Sequence, residues 1–274
     1  MKGISRVTGW PACILFAGLG LACSPAEEHA EAEHTGAVHW GYEGEEGPEH
    51  WAGLSEAYAL CGSGTSQSPI DLTGAVLMAP GEGTGLLRDY GTGALSIARH
   101  EHVVDFLDNG HTIQVTYDEG STLTVGGIEY HLRQFHFHAP SEHTVDGQHY
   151  PIELHLVHQS ETGGLVVLGV FLEEGEPNPV IGALIEGLPA AAGEESHFEH
   201  VAIDVDAFIP SIDEYYRYEG SLTTPPCSEG VRWAVFTEPL AASAEQIAAL
   251  DAAMPENNRP VQPLGAREVV LISR

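Results

Sequence analysis

Two short segments of the chain alternate polar and apolar side chains with a period of two, and each carries histidine among its polar residues. The first is Gln134-Phe135-His136-Phe137-His138, and the second is Glu153-Leu154-His155-Leu156-Val157. Successive side chains of a β-strand point to opposite faces, so the alternation predicts two strands with histidine on one face and Phe or Leu on the other. If the two strands are neighbours, three imidazoles converge on one point.

This convergence predicts a zinc site formed by His136, His138 and His155. Three neutral nitrogen ligands with an open fourth position are what catalytic zinc requires. A ligating imidazole also donates its second N–H to an acceptor, which fixes the orientation of the ring. Gln134 and Glu153 each lie two residues before a histidine on the same face, so both are predicted to be such acceptors.

A different metal enzyme also fits part of this pattern. The spacing His136-x-His138-x3-Glu142 satisfies the first part of a cupin motif, in which Glu142 would be a ligand and iron or manganese the metal. The cupin pattern places a glycine further along than Gly147, and no second cupin motif follows. Zinc is therefore favoured over a cupin-type oxygenase.

The N-terminus has the composition of an export signal. Lys2 and Arg6 precede an apolar run over residues 12–22, which is too short to cross a bilayer as a helix, so residues 1–22 are predicted to be a signal peptide. The end of the run resembles a bacterial lipoprotein cleavage box, which predicts lipidation of Cys23; ordinary cleavage nearby is the alternative. We expect an exported protein, periplasmic or at the cell surface, that meets the membrane only through this lipid.

The rest of the chain divides into a tether and one domain. Residues 23–38 are small, polar and acidic without an apolar period, so they are predicted to be a disordered tether. Residues 39–274 contain no second linker and no internal repeat, which predicts a single domain. Two cysteines, Cys61 and Cys227, fall in this domain, and an exported protein most simply pairs them, with two buried thiols as the alternative.

The chain is strongly acidic, with a formal net charge of −30 at pH 7. The first acidic residue is Glu27, so all 40 Asp and Glu residues belong to the exported part, which has eight arginines and no lysine. A surface this negative repels nucleic acid and anionic lipid headgroups, which excludes both as partners.

The secondary structure of the domain is predicted to be mainly strand, in a large twisted, mostly antiparallel sheet with peripheral short helices (mainly β, α+β). The predicted strands are His102–Leu107, Thr112–Tyr117, Ser121–Val125, His131–His138, Ile152–His158 and Leu165–Leu172. Helices are predicted over Val180–Leu188 and over Ser243–Met254, which opens with a Ser-x-x-Gln capping pattern.

In its motifs the domain resembles the α-class carbonic anhydrases, in particular the bacterial members. The similarity covers nearly all of residues 39–274. Its motifs include His39-Trp40-Gly41-Tyr42, Ser66-Gln67-Ser68-Pro69-Ile70, Asn109-Gly110-His111, Ser141-Glu142-His143, Gly220-Ser221-Leu222-Thr223-Thr224-Pro225-Pro226-Cys227 and the two histidine segments. The resemblance implies a sheet of about ten strands with zinc at the base of a conical cleft, and a disulfide between Cys61 and Cys227.

The resemblance also implies a reaction, the reversible hydration of CO2 to bicarbonate and a proton by attack of zinc-bound hydroxide. Zn²⁺ lowers the pKa of its bound water to about 7, which makes hydroxide available near neutral pH. Thr223 corresponds to the residue that accepts a hydrogen bond from this hydroxide and donates its own proton to a glutamate, here Glu142. Because an ionised carboxylate only accepts, Glu142 would orient the nucleophile through Thr223.

The remaining site residues follow from the same resemblance. CO2 would lie against Val157, Val167, Leu222 and Trp233, with Thr224 lining the same pocket. Tyr42, Asn109 and Gln114 would form the hydrophilic side, and His111 would carry the proton out as a shuttle. CO2 and bicarbonate are the expected partners, and a homodimer is left open. The family also contains binding domains without activity, but these lack at least one of the three histidines.

Overall fold

The computed structural model describes residues 38–78, 86–89, 92–100, 112–117, 120–188, 194–210, 213–254 and 256–273. Several predictions from the sequence lie outside these residues: the signal peptide, Cys23, nearly all of the tether, the strand His102–Leu107, Asn109 and His111. No helix within the described ranges is long and apolar enough to cross a membrane.

Strands dominate the described residues, as the β-rich runs of the sequence predict. They are β1 Val76–Met78, β2 Leu86–Asp89, β3 Thr92–His100, β4 Thr112–Tyr117, β5 Thr122–Val125, β6 Ile128–His138, β7 Thr144–Val145, β8 Gln148–His149, β9 Ile152–Gln159, β10 Leu165–Glu174, β11 Glu194–Asp204, β12 Glu214–Ser221, β13 Glu229–Phe236, β14 Leu240–Ala242 and β15 Val270–Ser273. The helices are α1 Trp51–Leu54, α2 Leu60–Ser63, α3 Pro179–Glu186 and α4 Ala244–Ala253, with three short 3-10 turns at Gly44–Glu46, Glu56–Tyr58 and Val205–Phe208.

Thirteen of the described strands form one mixed sheet, which confirms the predicted fold class. Its main path runs β1-β15-β12-β13-β10-β9-β6-β4-β3-β11, with β14 beside β10 and the β2–β5 pair beside β6. Only β1–β15, β10–β13 and β10–β14 pair in parallel, and the other described pairs are antiparallel. The strands β6 and β9, which carry the three histidines, are adjacent near the middle of this path.

Both predicted helices are present and begin where capping chemistry places them. In α4, the Ser243 hydroxyl accepts from the backbone N–H of Gln246 at 3.2 Å, and the Gln246 side-chain oxygen accepts from the backbone N–H of Ser243 at 3.0 Å. This is the predicted capping box. In α3, Asn178 Oδ1 accepts from the N–H groups of Val180 and Ile181, and Pro179 occupies the first helical position.

The sheet has an apolar cluster on each face, and the histidines lie on only one of them. Phe135 and Phe137 of β6 join the larger cluster, together with Leu154 and Leu156 of β9. Val157, on the same face of β9 as His155, belongs to the smaller cluster with Trp233 and others. The predicted division of each histidine segment into an apolar and a polar face is therefore confirmed.

A one-residue irregularity in β6 sets which side chains face each other across the β6–β9 pair. Leu132 lies opposite His158, but the next paired position is Gln134 opposite Val157, so Arg133 is an extra residue in β6. Such a bulge moves every later side chain of its strand to the other face. With the register of Leu132 continued, residue 136 would face Leu154, on the face opposite His155. Because of Arg133, His136 instead lies directly opposite His155.

A disulfide ties the N-terminal part of the domain to the loop that follows β12. Cys61 and Cys227 are bonded, with their Cα atoms 5.0 Å apart, which confirms the predicted pairing. Both cysteines belong to a small aromatic cluster with Trp40, Trp51 and Tyr58. The bond closes a sequence separation of 166 residues, and its second cysteine lies four residues after Thr223.

Removal of this disulfide is expected to cost stability. In the chain-entropy model a loop of this length stabilises the folded state by at most about 5 kcal/mol, so the Cys61→Ser/Cys227→Ser variant should unfold at a lower temperature than the wild type. A reducing agent should lower the melting temperature of the wild type and leave that of the double variant unchanged. Equal effects of the reducing agent on both proteins would contradict this account.

The buried His158 side chain is expected to make the fold acid-sensitive. Burial lowers its pKa from 6.5 to about 4, although its contacts with the Leu156 and Val166 backbones oppose the shift. Between pH 6.5 and 4 the unfolded chain takes up a proton at this residue that the folded chain does not, so stability is lost as pH falls through this window, by about 3 kcal/mol. Urea unfolding at pH 7 and pH 4 should show a smaller loss for His158→Gln, and an identical loss in both proteins would refute the assignment.

Candidate metal centre

Three buried histidines meet on the face of β6 and β9 that carries the smaller apolar cluster. His136 and His138 come from β6, and His155 lies opposite His136 on β9. The ring centroids are 5.0 Å apart for His136–His138, 5.3 Å for His136–His155 and 4.6 Å for His138–His155. One ring nitrogen from each lies within 4.8 Å of the others, so the group could hold a metal ion. The convergence predicted from the sequence is present.

Each of the three rings has an oxygen partner that fixes its orientation. His136 Nδ1 is 2.7 Å from Gln134 Oε1, as predicted. His138 Nδ1 is 2.7 Å from the backbone oxygen of Asn257, a partner that the sequence did not indicate. His155 Nε2 lies 2.9 Å from Glu153 Oε1, an ion-pair contact between the imidazole and the carboxylate.

The remaining nitrogens suit a metal ion. His138 Nε2 is buried and has no hydrogen-bond partner among the described residues, an arrangement that costs free energy unless something else satisfies the nitrogen. Burial and repulsion from His138 and His155 lower the pKa of His136 well below its usual value, and burial also lowers the pKa of His138. Both rings are therefore neutral near pH 7, the form in which imidazole binds metals, and three such donors are a typical zinc set.

Glu153 joins the histidine strands to the segment at residues 142–143. Its Oε2 accepts from the backbone N–H groups of Glu142 and His143, both at 2.9 Å, and its Oε1 is 2.7 Å from His143 Nδ1. Burial alone would raise the pKa of Glu153, but attraction to His143 and His155 and the hydrogen bond with the His143 ring lower it well below the usual value. A buried, ionised carboxylate thus lies directly behind His155. Gly169, opposite His155 on β10, leaves room for it, since a Cβ there would lie 2.9 Å from Glu153 Oε1.

A chain of hydrogen bonds continues from His143 to the loop that carries Thr223. His143 Nε2 is 2.6 Å from Tyr218 Oη, which is 2.8 Å from Ser68 Oγ. Ser68 and Ser221 then exchange two bonds, in which each backbone N–H donates to the other hydroxyl. Sequence reasoning did not identify this chain, because its members come from distant segments and none belongs to a local period.

Glu142 and Thr223, the two of the three predicted catalytic residues that the structure describes, are both buried, but no hydrogen bond joins them among the described contacts. Glu142 Oε1 accepts from the backbone N–H of Arg259 at 2.9 Å. Glu142 Oε2 has no hydrogen-bond partner in the described part of the chain and faces the imidazoles, 3.6 Å from His138 Nε2 and 3.8 Å from His155 Nδ1. Thr223 is 6% exposed, so it lies inside the protein and not in a surface turn.

The residues predicted to contact CO2 form a row beside the histidines. Val157 on β9 pairs with Val167 on β10, and Val167 pairs with Trp233 on β13. Leu222 is partly buried against the same cluster. Thr224 is buried, and its hydroxyl has no hydrogen-bond partner within the described ranges.

On the predicted hydrophilic side, the structure describes two of the three residues. Gln114 is buried on β4 directly opposite His136. Tyr42 packs its ring against Trp40 and Trp51, and burial together with the negative charge of Glu142 raises the pKa of its hydroxyl well above the usual value. Its phenol is therefore neutral.

Comparison with known proteins gives one consistent result. Residues 46–273 match the family model of the eukaryotic-type carbonic anhydrases. A carbonic anhydrase of Nostoc sp. is 43% identical over 85% of this chain and 86% of its own length, and one of Neisseria gonorrhoeae is 42% identical over 93% and 96%. The solved α-carbonic anhydrase of Thermovibrio ammonificans, in complex with the inhibitor sulfanilamide, superposes with a TM-score of 0.79 at 44% identity and covers 86% of this chain and 100% of its own.

These matches decide between the two metal enzymes that the sequence left in competition. A cupin oxygenase would use Glu142 as a metal ligand. The family match, the similarity of the sheet to a solved carbonic anhydrase and the histidine triad all favour a carbonic anhydrase instead. The chain belongs to the eukaryotic-type, or α-class, carbonic anhydrase family.

Proposed function

We propose that this protein hydrates CO2 reversibly to bicarbonate and a proton, with Zn²⁺ held by His136, His138 and His155. The observation that carries the proposal is the convergence of three buried imidazoles, two of them kept neutral by a lowered pKa, around the unpaired Nε2 of His138. When bound, the zinc ion supplies a hydroxide nucleophile near neutral pH, because it lowers the pKa of a coordinated water to about 7.

The protein's first contribution is to hold the three rings in place. Gln134 and the Asn257 carbonyl hold the Nδ1 atoms of His136 and His138, which leaves both Nε2 atoms for the metal. His155 is contacted through Nε2 by the ionised Glu153 and therefore presents Nδ1. A carboxylate behind a ligating imidazole raises its basicity and strengthens its bond to a metal ion.

Orientation of the nucleophile is assigned to Thr223 and Glu142. Glu142 Oε2 has no hydrogen-bond partner among the described residues and is therefore available to accept a hydrogen bond from the Thr223 hydroxyl. Since an ionised carboxylate offers no proton in return, the Thr223 oxygen then serves as acceptor for the nucleophile. With its proton donated to Thr223, the nucleophile would have a lone pair free to face the substrate carbon.

Substrate binding is assigned to the apolar row of Val157, Val167, Leu222 and Trp233. CO2 carries no charge and has little polarity, so it gains by leaving water for an apolar surface. Thr224 follows Leu222 by two residues, and its hydroxyl, unpaired among the described residues, is suited to hydrogen-bond the bicarbonate product.

Proton release is assigned to His111. A histidine with an ordinary pKa of about 6.5 exchanges protons well with a group of pKa near 7.

Export through the signal peptide, with a lipid on Cys23, is proposed on the sequence alone and would place this chemistry in the periplasm or at the cell surface.

The proposal is tested most simply by removing one ligand. His155→Ala should lose both stoichiometric zinc, measured by elemental analysis, and CO2 hydration, measured by stopped flow, because two imidazoles do not complete a catalytic zinc site. The matched control is His131→Ala, since His131 lies on the same strand as His136 but is partly exposed and outside the triad; it should keep both. Full zinc occupancy in His155→Ala would show that the third ligand is assigned wrongly.

A non-catalytic carbonic-anhydrase-like binder is the competing function. It predicts that the zinc-loaded wild-type protein leaves the rate of CO2 hydration at its uncatalysed value. That result would overturn the proposed reaction while leaving the metal site intact.

A further inference from the structure

Arg259 is a fully buried cation that the proposed reaction does not use. Its side chain is 1% exposed. Burial lowers the pKa of the guanidinium to about 10, and attraction to Glu142 partly opposes the shift, so the group stays protonated at neutral pH. A buried charge is costly unless hydrogen bonds satisfy it, which makes the partners of this group informative.

The guanidinium is held by oxygen atoms of one short segment, residues 61–68. Nη1 donates to Gln67 Oε1 at 2.9 Å and to the Ser68 carbonyl at 2.8 Å, and Nη2 donates to the Cys61 carbonyl at 2.9 Å. The guanidinium carbon also lies 5.6 Å from the centre of the Trp51 ring. All three acceptors are neutral, so this is not an ion pair. The three hydrogen bonds fix the orientation of the planar guanidinium group.

The segment that holds the guanidinium is itself fixed at both ends. Cys61 is bonded to Cys227, and Gln67 Nε2 donates to the Cys227 carbonyl at 3.0 Å. Ser68 exchanges hydrogen bonds with Ser221. The guanidinium is therefore bonded to a segment, residues 61–68, that the disulfide and hydrogen bonds attach to Ser221 and Cys227.

The backbone of Arg259 holds one carboxylate oxygen of Glu142. The backbone N–H of Arg259 donates to Glu142 Oε1 at 2.9 Å, while Oε2 is left facing His138 and His155. We propose that Arg259 is a positioning residue: its guanidinium anchors the chain at residue 259 on the 61–68 segment, so that the backbone N–H holds Glu142 with Oε2 toward the metal centre. This inference rests on the proposed role of Glu142.

Arg259→Met tests the anchor, because it removes the guanidinium but keeps an unbranched apolar stem and the backbone N–H. The zinc-loaded variant should keep stoichiometric zinc, and kcat/KM for CO2 hydration should fall about tenfold, the order of effect expected when a reacting group is slightly misplaced. In a Glu142→Gln background the same substitution should have little further effect, since its target has been removed. Amide hydrogen exchange at residue 259 should accelerate at least about tenfold, because the bond to Glu142 opens more often.

Arg267→Met is the matched control. Like Arg259, Arg267 makes three hydrogen bonds, here to the backbone carbonyls of Leu264, Glu219 and Pro263. Its guanidinium carbon lies 5.7 Å from the centre of an aromatic ring, and no hydrogen bond or ion pair among the described residues joins it to Glu142. This variant should lose stability without changing exchange at residue 259 or coupling to Glu142→Gln. Should Arg259→Met fail to fold, Arg259→Lys retains the charge without the fork and should show the same coupling with a smaller loss.

Several outcomes would overturn the inference. Equal fold losses from Arg259→Met in the wild-type and Glu142→Gln backgrounds would reduce Arg259 to a structural residue, as would unchanged amide exchange at residue 259. Wild-type activity in Glu142→Gln alone would instead refute the proposed role of Glu142. In that case the exchange measurement still decides whether Arg259 anchors the chain.

Discussion

The candidate site depends on the register between β6 and β9. His136 and His155 face each other because β6 contains one residue more than a regular ladder allows, Arg133. Before the bulge, the even-numbered residues of β6 enter the larger apolar cluster, as Leu132 does; after it, odd-numbered residues such as Phe135 do so. This switch places His136 and His138 on the same face as His155. The change of register occurs before both histidines, between Leu132 and Gln134.

Around the triad, the protein interior contains several charged side chains, and hydrogen bonds satisfy them. Glu142, Glu153 and Arg259 are all buried, and each is bonded to backbone groups of a different segment. Buried charges add little net stability, but the loss of one partner is costly, so such networks favour a single arrangement of the chain. Here that arrangement joins β9, the 142–143 segment, the disulfide and the loop that carries Thr223.

The sequence predicted the parts of this structure that have a local pattern. Runs of β-forming residues between turn residues gave the strands around residues 112–117, 131–138, 152–158 and 165–172, and period two gave the faces of the two histidine segments. A capping pattern marked the start of the helix at Ser243. The strands Glu214–Ser221 and Glu229–Phe236 were not identified, because both of their faces carry aromatic or small residues and no alternation is visible. The Asn257 carbonyl could not have been found either, since a backbone group 119 residues from its histidine has no sequence signature. The motif resemblance supplied what local pattern could not, namely the roles assigned to Glu142 and Thr223.

X-ray absorption at the zinc edge of the full-length, metal-loaded protein tests the central claim most directly, because it reports ligands without relying on turnover. A site formed by His136, His138 and His155 with an open fourth position predicts three imidazole nitrogens at about 2.0–2.1 Å and one further oxygen ligand. Fewer than three imidazoles, or a protein carboxylate or thiolate in the coordination sphere, would contradict the account.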